Sequence, residues 1–208
     1  MRRFRSVVVI PIGLIVLVFA YFTGAQTDLI ELKAIIPDIE LDIRYATTNN
    51  FVGQILYPSD RCFLVRDAVN ALNAVQADLK TKGYKLKVFD GYRPLSVQWR
   101  MWAIMPNPIF VADPKTGSRH NKGYAVDLTL ITIDGDSVQM PTPFDDFTEK
   151  ASRSFQNLPE PALKHRQILE DAMEAHGFTG LSSEWWHFDY QDFEGKPNLD
   201  IPIDKISK

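Results

Sequence analysis

At 208 residues the chain has the length of one domain with elaborations. Its 45% hydrophobic and 24% charged residues are globular values that exclude wholesale disorder, and 13 Pro and 11 Gly are too few for a collagen-like or low-complexity chain. A formal charge of −3 argues against nucleic-acid binding through a basic face, and the single cysteine, Cys62, excludes a disulfide framework or a cysteine-rich zinc module.

The chain opens Met1-Arg2-Arg3-Phe4-Arg5 and carries no charge from Ser6 to Gln26. The apolar stretch Val7 to Phe22 covers 16 residues and contains Pro11 and Gly13, short of the ~20 that a spanning helix needs. A basic start, a short apolar core and the small-residue exit Thr23-Gly24-Ala25 fit a secretory signal peptide. Residues 1–25 are therefore read as a signal, cleaved after Ala25 or retained as an anchor, and 26–208 as one domain. The protein is expected to be exported, to the periplasm, and to touch a membrane only if the segment stays uncleaved. Without Arg2, Arg3 and Arg5, 20 of the 23 basic residues face 26 acidic ones, a formal −6 that favours a small or polar substrate over a polyanion. Cys62, beside Arg61 and Phe63-Leu64, is expected to fill core rather than to act as a nucleophile. No pattern sets an oligomeric state.

From Ile30 to Thr47 the sequence reads as loop and short strand, with Leu41, Ile43 and Tyr45 alternating against Asp42 and Arg44. Asn49-Asn50, Gly53 and Pro58-Ser59 mark turns. Val65, Val69, Leu72, Val75 and Leu79 recur at helical spacing and predict an amphipathic helix over Val65–Lys80, stopped by Gly83. Lys85–Asp90 is a predicted strand, followed by a turn at Gly91 and Pro94 and a helix ending before Pro106. Tyr124–Thr132 is the clearest strand, with Val126, Leu128 and Leu130 alternating against Ala125, Asp127 and Thr129. Pro159–His176 is a predicted helix with Pro161 in its first turn and Gly177 past its end, and the aromatic run Trp185–Tyr190 is a final strand. Long helices mixed with short strands, in no βαβ repeat, predict a single α+β domain with a small central antiparallel sheet flanked by helices.

Of four histidines, His165 reads as a solvated helix residue, and His176 as a cation near a helix C-terminus. His120 and His187 differ. His120 stands in the polar loop Gly117-Ser118-Arg119-His120-Asn121-Lys122-Gly123, just before a strand that carries Asp127, a poor place for a carboxylate. A buried charge there must be paired or bound to a metal. His187 lies in Glu184-Trp185-Trp186-His187-Phe188-Asp189-Tyr190, where an ionisable residue among aromatics needs a fixed partner. Two imidazoles and one carboxylate suit zinc, with a fourth position left for a water whose pKa drops to ~7. Glu184 then has the role of proton acceptor, provided that it sits outside the strand or at a bend, since strand positions three apart face opposite ways. The alternatives are a salt bridge for Asp127, to Arg93 for instance, and a hydrogen-bonded core histidine for His187. Arg93, in Asp90-Gly91-Tyr92-Arg93-Pro94, is either an oxyanion donor, worth about 3–4 kcal/mol, or an arginine pinned by Asp90 to make the turn.

Taken together, Ser118-x-His120-x-x-Gly123-x-Ala125-x-Asp127, Glu184-x-x-His187 and Asp90-Gly91-Tyr92-Arg93-Pro94 resemble the zinc D-alanyl-D-alanine dipeptidases of the vancomycin-resistance type, relatives of the D,D-carboxypeptidases. Arg44-Tyr45-Ala46-Thr47-x-x-Asn50-Phe51 is similar to that family's N-terminal block, and Gly177-Phe178 to part of its closing one. The resemblance implies one zinc ion on His120, Asp127 and His187, Glu184 as general base, Arg93 as transition-state donor, and Tyr45, Ser118 and Asp145 around the substrate's ammonium group, with Asp146 able to exchange roles with Asp145. It implies hydrolysis of the free dipeptide D-Ala-D-Ala. An exported enzyme does not deplete a cytoplasmic dipeptide pool, so turnover of wall peptides or scavenging is expected rather than resistance. The alternatives are a D,D- or L,D-carboxypeptidase that trims stem peptides, and a non-catalytic wall-peptide binding module.

Overall fold

The computed structural model describes residues 28–207; the segment read as a targeting signal lies outside them. A short strand β1 (Leu29–Glu31) runs directly into a one-turn helix α1 (Leu32–Ile35), and a two-residue strand β2 (Glu40–Leu41) follows. A 3-10 turn then spans Arg44–Ala46. Next come β3 (Phe63–Val65), α2 (Arg66–Thr81), β4 (Tyr84–Asp90) and α3 (Leu95–Ile104). A second 3-10 turn, Arg119–Lys122, precedes β5 (Ala125–Thr132), and a third spans Glu149–Ala151. The chain closes with α4 (Glu160–Glu174), β6 (Phe178–Gly180), β7 (His187–Tyr190) and a 3-10 turn at Ile203–Lys205.

The main sheet has the order β2-β4-β5-β7-β6, and β1 pairs with β3 apart from it. The α+β class holds, but the sheet is mixed rather than wholly antiparallel, because β2 runs parallel to β4. Parallel neighbours need a crossover connection, and α2 provides it. At two residues, β2 is too short to show a period in the sequence. Tyr45 is another correction: it sits in a 3-10 turn instead of extending the Leu41–Ile43 alternation. The final strand starts only at His187, so Trp185 and Trp186 precede it.

Alternation divides the main sheet into two faces. Leu86 and Val88 of β4, Val126, Leu128 and Leu130 of β5 and Phe188 of β7 are fully buried on one of them. There α2 packs on β4, α4 packs on β5 and β6, and the two helices touch. The helical spacing of Val69, Leu72, Val75 and Leu79 puts all four into this core, each burial worth about 1.5–3 kcal/mol. Cys62 is buried in the same cluster, and burial pushes its thiol well up, which makes it inert as expected. The other face carries Asp127, Thr129 and His187.

One irregularity makes that second face functional. Register runs Val88↔Leu128 and then Asp90↔Asp127, so Phe89 is an extra, bulged residue. Regular alternation would put Asp90 on the core face with Leu86 and Val88. The bulge turns it instead beside Asp127, and with it the Gly91–Pro94 turn that follows.

Candidate metal centre and active site

The loop bearing His120 is folded by its own side chains. Ser118 caps the 3-10 turn: its Oγ accepts from the His120 N–H at 3.3 Å, and Asn121 Oδ1 accepts from the Ser118 N–H at 2.7 Å. Gly123 ends the turn at φ 76°, where a Cβ would also lie 2.6 Å from Leu29 Cδ2, so only glycine fits. The turn is docked on the bulge segment by two bonds. The Arg93 N–H donates to the His120 carbonyl at 3.0 Å, and Asn121 Nδ2 donates to the Arg93 carbonyl at 2.9 Å. His120 and Arg93 are thereby fixed relative to each other. Asp127 of β5 lies directly across from His187 of β7, which brings these side chains within contact range.

His120, Asp127 and His187 are all buried and converge on one point. His187 Nδ1 is 3.0 Å from Asp127 Oδ1 and 3.2 Å from His120 Nε2, and His120 Nε2 is 3.4 Å from Asp127 Oδ1. Three atoms held about 2.0–2.1 Å from a tetrahedral ion stand about 3.3 Å apart, so the spacing fits zinc. The outer nitrogens decide the protonation. His120 Nδ1 is 2.8 Å from the Gly91 carbonyl, which only accepts, and His187 Nε2 is 2.9 Å from Asp189 Oδ1. Both outer nitrogens therefore carry hydrogen, and in the neutral rings the inner nitrogens present lone pairs to each other and to a carboxylate. Three lone pairs aimed at one point repel unless a cation sits among them, and outer acceptors of this kind are the usual support of metal-binding histidines.

The same geometry shifts the titrations. Burial lowers the His187 pKa, but its bonds to Asp127 and Asp189 outweigh that and push it up to about 10. Burial would raise Asp127, yet the charges and bonds of His120 and His187 hold it well below the usual carboxylate range. The centre is thus a place where a positive charge is strongly held.

A cavity of about 300 Å³ opens over this centre, and its walls include all eight residues singled out in the sequence: Tyr45, Arg93, Ser118, His120, Asp127, Asp145, Glu184 and His187. Glu184 lies outside β7, on a turn closed by its own N–H to the Leu181 carbonyl at 3.2 Å, as the strand-parity argument required. Burial, reinforced by Asp127, raises its pKa against the opposing charges of His187, His120 and Arg93. Arg93 is pinned by Asp90, one of the two readings the sequence left open, and it also faces the cavity. Its Nε and Nη2 donate to Asp90 Oδ2 at 3.1 and 2.6 Å, its Nη1 donates to Gln98 Oε1 at 2.9 Å, and it still lines the cavity. Of its five N–H groups, two remain for a ligand.

Tyr45 donates to both oxygens of Asp145, at 3.2 and 3.4 Å. Asp145 is pushed up to about 8, by burial first and then by the charge of Asp127. Asp146 instead accepts from the Thr148 N–H at 3.0 Å and faces a neighbouring cavity, which separates the two acids. Sequence reasoning missed Asp189, Gln98 and the aromatic wall of Phe51, Phe147 and Phe110, whose rings meet at 5.4 and 4.7 Å. Asp189 was legible, because a residue two places from His187 on a strand shares its face.

The Peptidase_M15 family model, described as D-ala-D-ala dipeptidase, matches residues 25–200. The D-alanyl-D-alanine dipeptidase of Escherichia coli (strain K12) is 36% identical over 173 residues, covering 83% of this chain and 90% of that one. The D-alanyl-D-alanine dipeptidase of Enterococcus faecium is 29% identical over 195 residues, covering 83% of this chain and 96% of that one. Among solved structures, the LdcB LD-carboxypeptidase gives a TM-score of 0.47 at 18% identity, over 81% of this chain and 70% of that one. The extent of the family match and the identity to the Escherichia coli protein establish that this chain belongs to the D-Ala-D-Ala dipeptidases of the Peptidase_M15 family.

Proposed function

We propose that the protein hydrolyses free D-Ala-D-Ala to two molecules of D-alanine, with one zinc ion per chain held by His120 Nε2, Asp127 Oδ1 and His187 Nδ1. The observation that carries this reading is the convergence of those three atoms at 3.0–3.4 Å with both outer imidazole nitrogens already engaged. Zinc bound there supplies Lewis acidity and brings a water's pKa toward ~7. The remaining chemistry belongs to the chain. Glu184, whose pKa burial raises above the usual carboxylate range, takes the proton of the attacking water and delivers it to the leaving amine as the C–N bond breaks. Arg93 directs its two free N–H groups at the oxygen that gains charge when water adds to the carbonyl carbon. Asp145, oriented by Tyr45, holds the substrate ammonium, whose positive charge favours the ionised carboxylate over the protonated form that burial otherwise favours, with the Ser118 hydroxyl beside it. A free α-amine is what distinguishes a dipeptide from the end of a longer peptide, so this pair selects for length.

A second cavity of about 410 Å³ shares Ile109, Phe110, Phe147, Ser183 and Glu184 with the first. It favours, as a second reading, a carboxypeptidase acting on longer stem peptides. The test is D-alanine release from D-Ala-D-Ala and from a pentapeptide ending in D-Ala-D-Ala, with zinc-loaded and chelator-treated protein and with Glu184→Ala. Zinc-dependent release from the dipeptide alone, lost in a Glu184→Ala protein that still binds zinc, is the expected result. Release from the pentapeptide only would replace the dipeptidase reading by the second. With residues 1–25 read as an export signal, the enzyme acts outside the cytoplasm in wall-peptide turnover or scavenging. Recovery of the full-length product in the cytoplasm of a Gram-negative host, or raised vancomycin tolerance on expression in a susceptible host, would contradict that placement.

A further inference from the structure

Arg93 is held at one edge by a single oxygen. Both Nε and Nη2 donate to Asp90 Oδ2; two bonds to one atom let the guanidinium turn in its own plane about that atom, while the Tyr45 ring, 5.2 Å away, bounds it on one face. Asp90 itself is rigid, fully buried and with its other oxygen bonded to the Tyr57 hydroxyl at 2.7 Å and the Gly91 N–H at 2.9 Å. The second anchor comes from α3. Gln98, fully buried, accepts from Arg93 Nη1 at 2.9 Å through Oε1 and donates from Nε2 to the Ala112 carbonyl at 2.8 Å. Only this orientation of the amide pairs a donor with an acceptor at both ends, since the flipped amide sets NH₂ against guanidinium and oxygen against carbonyl. Ala112 belongs to the Pro108–Ala112 stretch that walls the cavity.

We infer that Gln98 is a positioning residue for Arg93: its amide fixes the angle at which the two free N–H groups of the guanidinium meet the developing oxyanion, and the same amide sets the distance of the Pro108–Ala112 wall from them. The inference rests on the reading of Arg93 as the oxyanion donor. An apolar residue of the same length leaves Arg93 charged and bonded to Asp90 but removes the second anchor. A carboxylate keeps that anchor and opposes the Ala112 carbonyl. The two ends of the amide therefore have separate kinetic signatures.

The test is steady-state hydrolysis of D-Ala-D-Ala by zinc-loaded wild type, Gln98→Met, Gln98→Glu, Arg93→Ala and the double variant Arg93→Ala/Gln98→Met. An inactive wild type would refute the dipeptidase reading and not this one. With wild type active, Gln98→Met is expected to lose about tenfold to a hundredfold in kcat with little change in KM, less than the 10²–10³ that follows loss of a donor outright. The double variant is expected to be no slower than Arg93→Ala, because Gln98 acts only through that residue. Gln98→Glu is expected to keep most of kcat and to raise KM through the displaced wall. The inference is overturned if Gln98→Met retains kcat, if its loss multiplies that of Arg93→Ala, or if Gln98→Glu is as slow as Arg93→Ala. Should Gln98→Met fail to fold, the Gln98→Glu split decides alone.

Discussion

Asp145 sits at φ 60°, a conformation that costs any residue other than glycine, asparagine or aspartate dearly. The turn that imposes it also buries the carboxyl toward Asp127 and Glu184, whose charges oppose its ionisation. The consequence for stability has a definite sign. From an ordinary 3.8 the group moves to about 8 in the folded chain. Between those values the folded chain keeps a proton that the unfolded chain has released, so protons favour folding. The contribution is complete below about pH 4 and lost as pH rises through about 8. Asparagine tolerates the same φ and does not titrate. Asp145→Asn, measured by urea denaturation of chelator-treated protein, should therefore gain stability relative to wild type as pH is raised from 5 to 8. A difference between the two proteins that is the same at both pH values would show that Asp145 is already ionised. At this scale the sequence was generous with ligands and poor with their supports. His120, Asp127 and His187 stand out as ionisable residues in apolar or strand contexts, whereas Gln98 looks like any amide on a helix, and only the fold brings it to Arg93.

At the scale of elements, legibility followed length. The helix α2 and the strands β4 and β5 span two or more periods of their hydrophobic pattern and were readable to within a residue or two. β1, β2, β3 and β6 are three residues or fewer, so no period develops, and their pairing is decided by what the long elements leave open. The bulge at Phe89 was equally invisible, since its cause is the partner strand. Its effect continues into Gly91, which sits between two jobs. The Gly91 carbonyl accepts from His120 Nδ1, while a Cβ on Gly91 would lie 2.5 Å from Cys62 Sγ and 2.9 Å from the Phe63 carbonyl. Neither neighbour is free to retreat, because Cys62 is buried and the Phe63 carbonyl accepts from the Tyr92 N–H at 2.8 Å. Gly91→Ala must therefore shift the backbone that orients His120. It is expected to cost about 1–3 kcal/mol of stability through overpacking and to weaken zinc binding by roughly tenfold to a hundredfold through the displaced outer acceptor. Urea denaturation and competition against a zinc chelator measure the two effects. Lost stability with unchanged zinc affinity would mean that the Gly91 carbonyl does not hold the His120 ring.

Across the whole molecule, the centre draws its ligands from three separate segments of the chain. Its ligands come from the Arg119–Lys122 turn, from β5 and from β7, with Asp127 and His187 60 positions apart in the chain. The rest of β5, the Glu149–Ala151 turn, α4 and β6 lie in that interval. In the unfolded chain these ligands are far apart, so an ion that binds all three stabilises only the folded form, by RT ln(1 + [L]/Kd). At free zinc a thousandfold above Kd this amounts to about 4 kcal/mol. For a domain of this size each kcal/mol moves Tm by roughly 2–4 °C, so stripping the metal should lower Tm by roughly 8–16 °C. His120→Ala breaks the set without touching the core packed against α2 and α4. Its Tm should fall near that of the stripped wild type and should not respond to added zinc. The comparison separates a metal held by these three residues from one bound elsewhere on an acidic surface. If zinc raises the Tm of His120→Ala as much as that of wild type, the ion's stabilising site is not the one formed by His120, Asp127 and His187.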